Sequence, residues 1–303
     1  MKKYSTAINA PIMSSNTETD WYGLSWKERI FSHPERTVRI GTAFSGIGAP
    51  EMALQQLGVK NNIVFACDID KPAKKTYFAN YPITEDKWYD DIRNLDAKQY
   101  KGKIDLFVGG VCCQPWSVAG KLEGWNDERG SDLFKAFVRV ICECQPKVWI
   151  FENVDNIVRH IGSINGEEMR SWPFLLNQMS DMFNDAALDY DLHWQILDSS
   201  DYGVPQHRER LFCIGFQKKT DFLFPAPIKL EKSVRDYLGV DEKEKGFYTL
   251  TAKDRIHLMG FPSSFKQVVT DNQFSHQAGN SIVVDVMMAL YKQMDITKYG
   301  VEK

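Results

Sequence analysis

Short apolar runs of strand length recur along the chain, and helix-length segments separate most of them. Residues 38–44 (VRIGTAF), 62–68 (NIVFACD), 104–109 (IDLFVG) and 147–151 (KVWIF) are predicted strands, the last ending at Glu152. Residues 50–57, 71–80, 132–144 and 173–183 have helical spacing, and 193–197 and 210–216 are predicted strands near the far edge. Strands that alternate with helices make crossover connections, so the pattern predicts an α/β fold with a mostly parallel sheet covered on both faces. In such sheets ligands sit at the carboxyl ends of the strands.

Composition narrows the class. A chain of 303 residues suits one large domain, or one with a small annex. No apolar run approaches the roughly 18 residues of a membrane span, so no membrane partner is expected. The stretch MKKYSTAINAPIMSSNTETD lacks the apolar core of a secretory signal and reads as a polar segment or a docking arm. A net charge of −3 argues against holding nucleic acid by bulk charge, and only Lys121 and Arg129 are basic between 117 and 130. Cys67, Cys142 and Cys213 lie in apolar runs, as small buried residues of a reducing compartment do. Cys142 and Cys144 have one residue between them and no second Cys or His pair nearby, so no metal site is expected.

Phe44-Ser45-Gly46-Ile47-Gly48 follows the first strand and leads into a helix. Its glycines allow a tight turn and a close approach to a ligand. The third glycine of a dinucleotide loop is replaced by Glu51, and an acid in the first helical turn is expected to repel phosphate. Asp68 ends the second strand, where a carboxylate can accept ribose hydroxyls. Asp91-Ile92 can meet an adenine ring. The pattern points to adenosine without pyrophosphate, hence S-adenosylmethionine. The residues alone fit equally well a tight turn beside two solvated aspartates.

The segment 109–120, GGVCCQPWSVAG, leaves the carboxyl end of the 104–109 strand on the same rim. It enters a loop running through Gly120, Gly124 and Gly130 that can close as a lid. Phe151-Glu152-Asn153-Val154 brings a carboxylate to that rim; when neutral, it can give a proton to a ring nitrogen. Gln206-His207-Arg208-Glu209-Arg210 opens a further strand, with Arg208 and Arg210 on one face. Glu152 also fits a helix cap, and the arginines an edge-strand charge pattern. Gathered on one rim, they read better as a catalytic constellation.

These segments, in this order, resemble the cytosine-5 DNA methyltransferases. The resemblance covers residues 38–216 and 249–292 and rests on FSGIGAPE (44–51), GGVCCQPWSVAG (109–120), FENV (151–154), QHRER (206–210), LTAKDRIHLMGFP (250–262) and QAGNSIVV (277–284). It implies the Rossmann-like methyltransferase fold and methyl transfer from S-adenosylmethionine to carbon 5 of a flipped-out cytosine in DNA. It matches Cys113 to the nucleophile, followed by Gln114, with Ser117 in the catalytic loop. Glu152 matches the group on ring nitrogen N3, and Arg210 the group on the base carbonyl, with Arg208 beside it. Phe44, Asp68, Ile69, Asp91, Ile92, Asn280 and Ser281 match cofactor contacts, and Ser45, Gly46 and Gly48 complete the glycine loop. A cytoplasmic enzyme of bacterial or phage type, as in restriction–modification, is implied.

Two departures stand out. Cys112 replaces the family's proline, which stiffens the loop before the nucleophile. The recognition region between QHRER and the LMGFP segment shrinks to 217–249. The expected organisation is an arm at 1–37, a catalytic domain at 38–216, a reduced target-recognition region at 217–249, and a closing segment at 250–303. Three arrangements fit so short a region: a partner chain that supplies recognition, a single-stranded or RNA substrate, or a very short target sequence. A regulatory methyltransferase-like subunit is the reading from another class. Trp21, Trp26 and Trp172 are candidate stacking groups, with packing onto the sheet domain the plainer role. Asn280 and Ser281 are expected at the start of a helix running to about Gln293, packed back on the first part of the sheet.

Overall fold

The computed structural model describes residues 25–111, 127–164, 167–240 and 248–302. In chain order the elements are β1 (Val38–Ala43), α1 (Ala49–Gln56), β2 (Asn61–Cys67), α2 (Lys71–Asn80), β3 (Trp88–Tyr89), β4 (Leu106–Gly110), α3 (Glu128–Cys144), β5 (Val148–Val154) and α4 (Asn156–Arg159). There follow β6 (Ile161–Ile164), β7 (Glu167–Arg170), α5 (Ser171–Asp185), β8 (Asp191–Asp198), β9 (Glu209–Phe216), α6 (Val234–Leu238), α7 (Ala252–His257), α8 (Asp271–Asn280) and α9 (Val284–Gln293). The strands and helices expected from apolar spacing are present, with ends shifted by a few residues.

The main sheet has seven strands in the order β3-β2-β1-β4-β5-β9-β8. The first five run parallel, and β9 is antiparallel to both β5 and β8. The short 199–208 connection cannot hold a crossover helix, so β8 and β9 pair as neighbours running in opposite directions. Side chains alternate between two cores, as a strand's two-residue period requires. Leu106, Val108, Val148 and Ile150 join the core under α1 and α9. Phe107, Trp149 and Phe151 join the core under α3 and α5, where Phe137 stacks on Phe107 with ring centroids 5.1 Å apart.

The described part of the expected arm lies flat on the closing segment. Trp26 is buried, Ser32 hydrogen-bonds to the Asp295 carboxylate, and Thr37 bridges Val301. Trp172 is buried too, stacked on Phe151, so these two stacking candidates pack against the protein instead. Residues 1–24, with Trp21, lie outside the described residues.

The C-terminal prediction needs a correction. Asn280 is the last residue of α8, not the first of the next helix, and Ser281 caps α8 in an extended conformation. The following helix starts at Val284, and it does pack back on α1. Asn and Ser are common helix-start residues, but here the chain needs 281–283 to turn between α8 and α9.

Candidate active site

The cavity lies at the carboxyl ends of β1, β2, β4 and β5 and encloses about 300 Å³. Its floor is the glycine loop. Phe44 adopts φ 54°, a left-handed conformation uncommon outside glycine, and lines the cavity. Ser45 pins the loop to the end of β2: its Oγ accepts from the Cys67 amide at 2.9 Å and lies 2.8 Å from Thr42 Oγ1. The Gly46 amide donates to Asp68 Oδ2 at 2.7 Å, and the Asp70 amide donates to Asp68 Oδ1 at 2.8 Å. Burial pushes the Asp68 carboxyl up, against the pull of those amides. Ile69 stands 73% exposed at the cavity wall, an apolar surface at a place where a ligand's ring can lie. Gly48 caps α1 at φ 79°, lies outside the cavity lining, and has no room for a Cβ beneath the Tyr81 ring.

Glu51 does not face the ligand, which corrects the argument that it repels phosphate. It is fully buried, and its Oε1 accepts from Tyr77 Oη at 2.7 Å and from Thr42 Oγ1 at 2.8 Å. Phosphate is disfavoured instead by Asp68 and Asp70 in the lining, and by Pro50, which removes an amide from the first turn of α1. Burial raises the Glu51 pKa, opposed by the Tyr77 and Thr42 hydrogen bonds. The unfolded chain then loses this proton first, so the contribution to stability falls as pH rises from the ordinary value of about 4.3 through the folded one. Glu51→Gln has no proton to lose there. Urea midpoints at about pH 5 and about pH 8 should show the variant gaining on the wild type as pH rises, by about 1.4 kcal/mol per unit of raised pKa within that window.

On the other side of the cavity Glu152, two residues before the end of β5, pairs with Gly110, the last residue of β4. A Cβ on Gly110 would sit 2.8 Å from Glu152 Oε2, so only glycine leaves the carboxyl its position. Arg210 Nε lies 3.4 Å from Glu152 Oε1, and Arg210 Nη1 donates to the Glu209 carbonyl at 2.7 Å. Burial pushes the Glu152 carboxyl up, and the charges of Arg210 and Arg208 pull it back. Arg208 Nη2 donates to the carbonyls of Gly279 and Ser281, both at 2.9 Å, tying the entry of β9 to the end of α8.

The cavity therefore gathers Phe44, Ser45, Gly46, Asp68, Ile69, Glu152, Arg208, Arg210, Asn280 and Ser281. Asp91 and Ile92 are not in its lining. Arg93 holds the Asp91 carboxylate, with Nη2 to Oδ2 at 2.6 Å, and Ile92 is buried in the core beside α3. Cys112, Cys113, Gln114 and Ser117 lie outside the described residues, which stop at Val111, itself a lining residue. The sequence reading passed over Asn153 and Gln277. Asn153 Nδ2 donates to the Val111 carbonyl at 3.0 Å and so fixes the backbone where the cysteine segment begins. An amide directly after Glu152 in an otherwise apolar strand is the signal that could have found it.

The lining fits S-adenosylmethionine. It offers a side-chain-free approach at Gly46, a carboxylate at the end of β2, an exposed apolar side chain beside it, and acidic groups suited to a sulfonium. Fold and cavity define an S-adenosylmethionine-dependent methyltransferase. A family model described as C-5 cytosine-specific DNA methylase matches residues 38–248 and 229–295. Type II methyltransferase M1.ScrFI of Lactococcus lactis subsp. cremoris is 30% identical over 83% of this chain and 76% of its own. Type II methyltransferase M.SsoII of Shigella sonnei is 30% identical over 83% and 78%. A solved structure of a putative DNA modification methyltransferase encoded within an E. coli prophage superposes with a TM-score of 0.66. It is 19% identical and covers 85% of this chain and 98% of its own. The chain belongs to the C-5 cytosine-specific DNA methylases: it is a methyltransferase acting on carbon 5 of cytosine in DNA, with S-adenosylmethionine as methyl donor.

Proposed function

We propose that Cys113 is the nucleophile and Glu152 the acid of this reaction, with Arg210 on the base and Asp68, Ile69 and the 44–46 loop on the cofactor. The supporting observation is that one cavity joins the glycine loop to the buried Glu152–Arg210 pair. Bound S-adenosylmethionine supplies an electrophilic methyl group. Carbon 5 of cytosine is a poor nucleophile until the Cys113 thiolate bonds to carbon 6 and pushes electron density to carbon 5. Glu152 hydrogen-bonds or protonates N3 and so takes up the negative charge that develops on the ring. After methylation, water takes the carbon 5 proton; its C–H electrons re-form the ring double bond, break the bond between Cys113 and carbon 6 and release the thiolate, and N3 returns its proton to Glu152. A thiol of ordinary pKa, about 8.5, needs cationic surroundings to ionise; Arg208 and Arg210 are cations of the same lining. Gln114, Trp116 and Ser117 are candidates to fill the space left by a flipped base.

The substrate we favour is duplex DNA with a short target sequence, read by the catalytic loop together with 217–249 as a reduced recognition region. The relatives are named type II methyltransferases, which supports a modification role beside a nuclease in the cytoplasm of a bacterial or phage-infected cell. Among the described residues no helix is long and apolar enough to cross a membrane. A partner chain that supplies recognition draws its support from the brevity of 217–249 alone. The test gives the chain labelled S-adenosylmethionine with duplex DNA, single-stranded DNA or RNA. Label is expected on cytosine of duplex DNA without any added protein. Label on single strands or RNA alone would replace this substrate, and label that needs a second protein would establish the partner-dependent form.

A further inference from the structure

We infer that Gln277 is a cofactor ligand, its side-chain amide donating to the α-carboxylate of S-adenosylmethionine. The inference rests on the cofactor reading above and extends it to a residue outside the expected contact set. Gln277 sits in the last turns of α8, is 4% exposed and lines the cavity. Thr76 on α2 donates to its Oε1 at 3.0 Å, which fixes the amide with its nitrogen as the remaining group. That Nε2 is buried and has no hydrogen-bond partner among the described residues. A buried donor left unpaired is costly and rare, so one kept at a cavity wall calls for an acceptor on the ligand.

The chemistry of the lining selects the acceptor. Asp68 and Asp70 disfavour an anion on their side of the cavity. Arg208 already holds two carbonyls at the end of α8, and Arg210 faces Glu152. The cofactor carries one anionic group, its carboxylate, and an amide donor without a competing partner suits it. The contact is a hydrogen bond to a charged group, in the range where loss costs about 10- to 100-fold in affinity.

The experiment measures binding of S-adenosylhomocysteine, which keeps the carboxylate, and 5′-methylthioadenosine, which lacks it. Wild type, Gln277→Met and Gln277→Glu are compared by calorimetry, with ligand-free thermal midpoints. Gln277→Met should bind S-adenosylhomocysteine about 10- to 100-fold more weakly and 5′-methylthioadenosine unchanged. Gln277→Glu should bind S-adenosylhomocysteine more weakly still, by repulsion. The ligand-free midpoint of Gln277→Met should stay level or rise, since an unpaired buried donor is removed and the Thr76 hydroxyl can turn its one hydrogen to the Pro72 carbonyl at 3.3 Å. Equal losses for both ligands, a lowered midpoint, or tighter binding by Gln277→Glu would each overturn the inference. Unchanged binding by Gln277→Met would do the same. Failure of the wild type to bind S-adenosylhomocysteine would instead remove the cofactor reading.

Discussion

Cys113→Ser is expected to lose methyl transfer to DNA by about 10⁴-fold or more, the scale seen when a nucleophile that must bond to its substrate is removed. A serine hydroxyl is far less ionised than a thiol at neutral pH and adds poorly to carbon 6. The direct readout is covalent capture on an oligonucleotide carrying 5-fluorocytosine. Fluorine at carbon 5 cannot leave as a proton does, so the enzyme stays bonded after methylation. Wild type should give a denaturation-resistant adduct, and Cys113→Ser none. Cys112→Ser should keep the adduct. An adduct that survives at position 113 and vanishes at 112 would move the nucleophile one residue and break the alignment with Gln114 and Ser117.

The second large effect belongs to Glu152. Glu152→Gln keeps the shape and can still offer a hydrogen bond, but it cannot deliver a proton. Turnover should fall by about 10²- to 10⁴-fold, the usual contribution of a positioned acid. The pH profile carries more information than the magnitude. Burial raises the Glu152 pKa despite Arg210 and Arg208, so the protonated form persists to higher pH than for an ordinary glutamate. Wild-type turnover should therefore decline as pH climbs through that raised value, and Glu152→Gln should lack this limb. A variant profile that keeps the same alkaline decline would assign it to another group.

Much of the frame was legible because strand burial on both faces forces continuous apolar runs, as in 147–151, and because helices between them force parallel pairing. The reversed edge was legible only in the shortness of the 199–208 connection: nothing within 193–197 or 210–216 distinguishes an antiparallel partner from a parallel one. Position along the chain was read better than direction of side chains. Glu51 was placed correctly in the first turn of α1, yet its carboxylate turns inward to Thr42 on β1 and Tyr77 on α2, contacts that exist only once strand and helices are packed. Asp91 was placed at a loop near the sheet, but Arg93, two residues on, engages its carboxylate. Gln277 carried no signal as a single amide in a polar helix; it stands out only once Thr76 is beside it.

The reversed edge decides where such a chain can be lengthened. Because β9 runs against β5, the strand begins beside Glu152 and ends at the opposite rim, where Phe216 pairs with Val148. Everything after it must climb back over the edge of the sheet, and residues 217–228 make that climb, with the Tyr202 hydroxyl on the Pro225 carbonyl and the Ile228 amide on the Asp201 carbonyl. Material added before 228 would have to be threaded past β8, whereas material added after 228 would leave these hydrogen bonds and the sheet untouched. The fold thus has an expansion joint, a point where the chain can be lengthened or shortened while every strand keeps its neighbours.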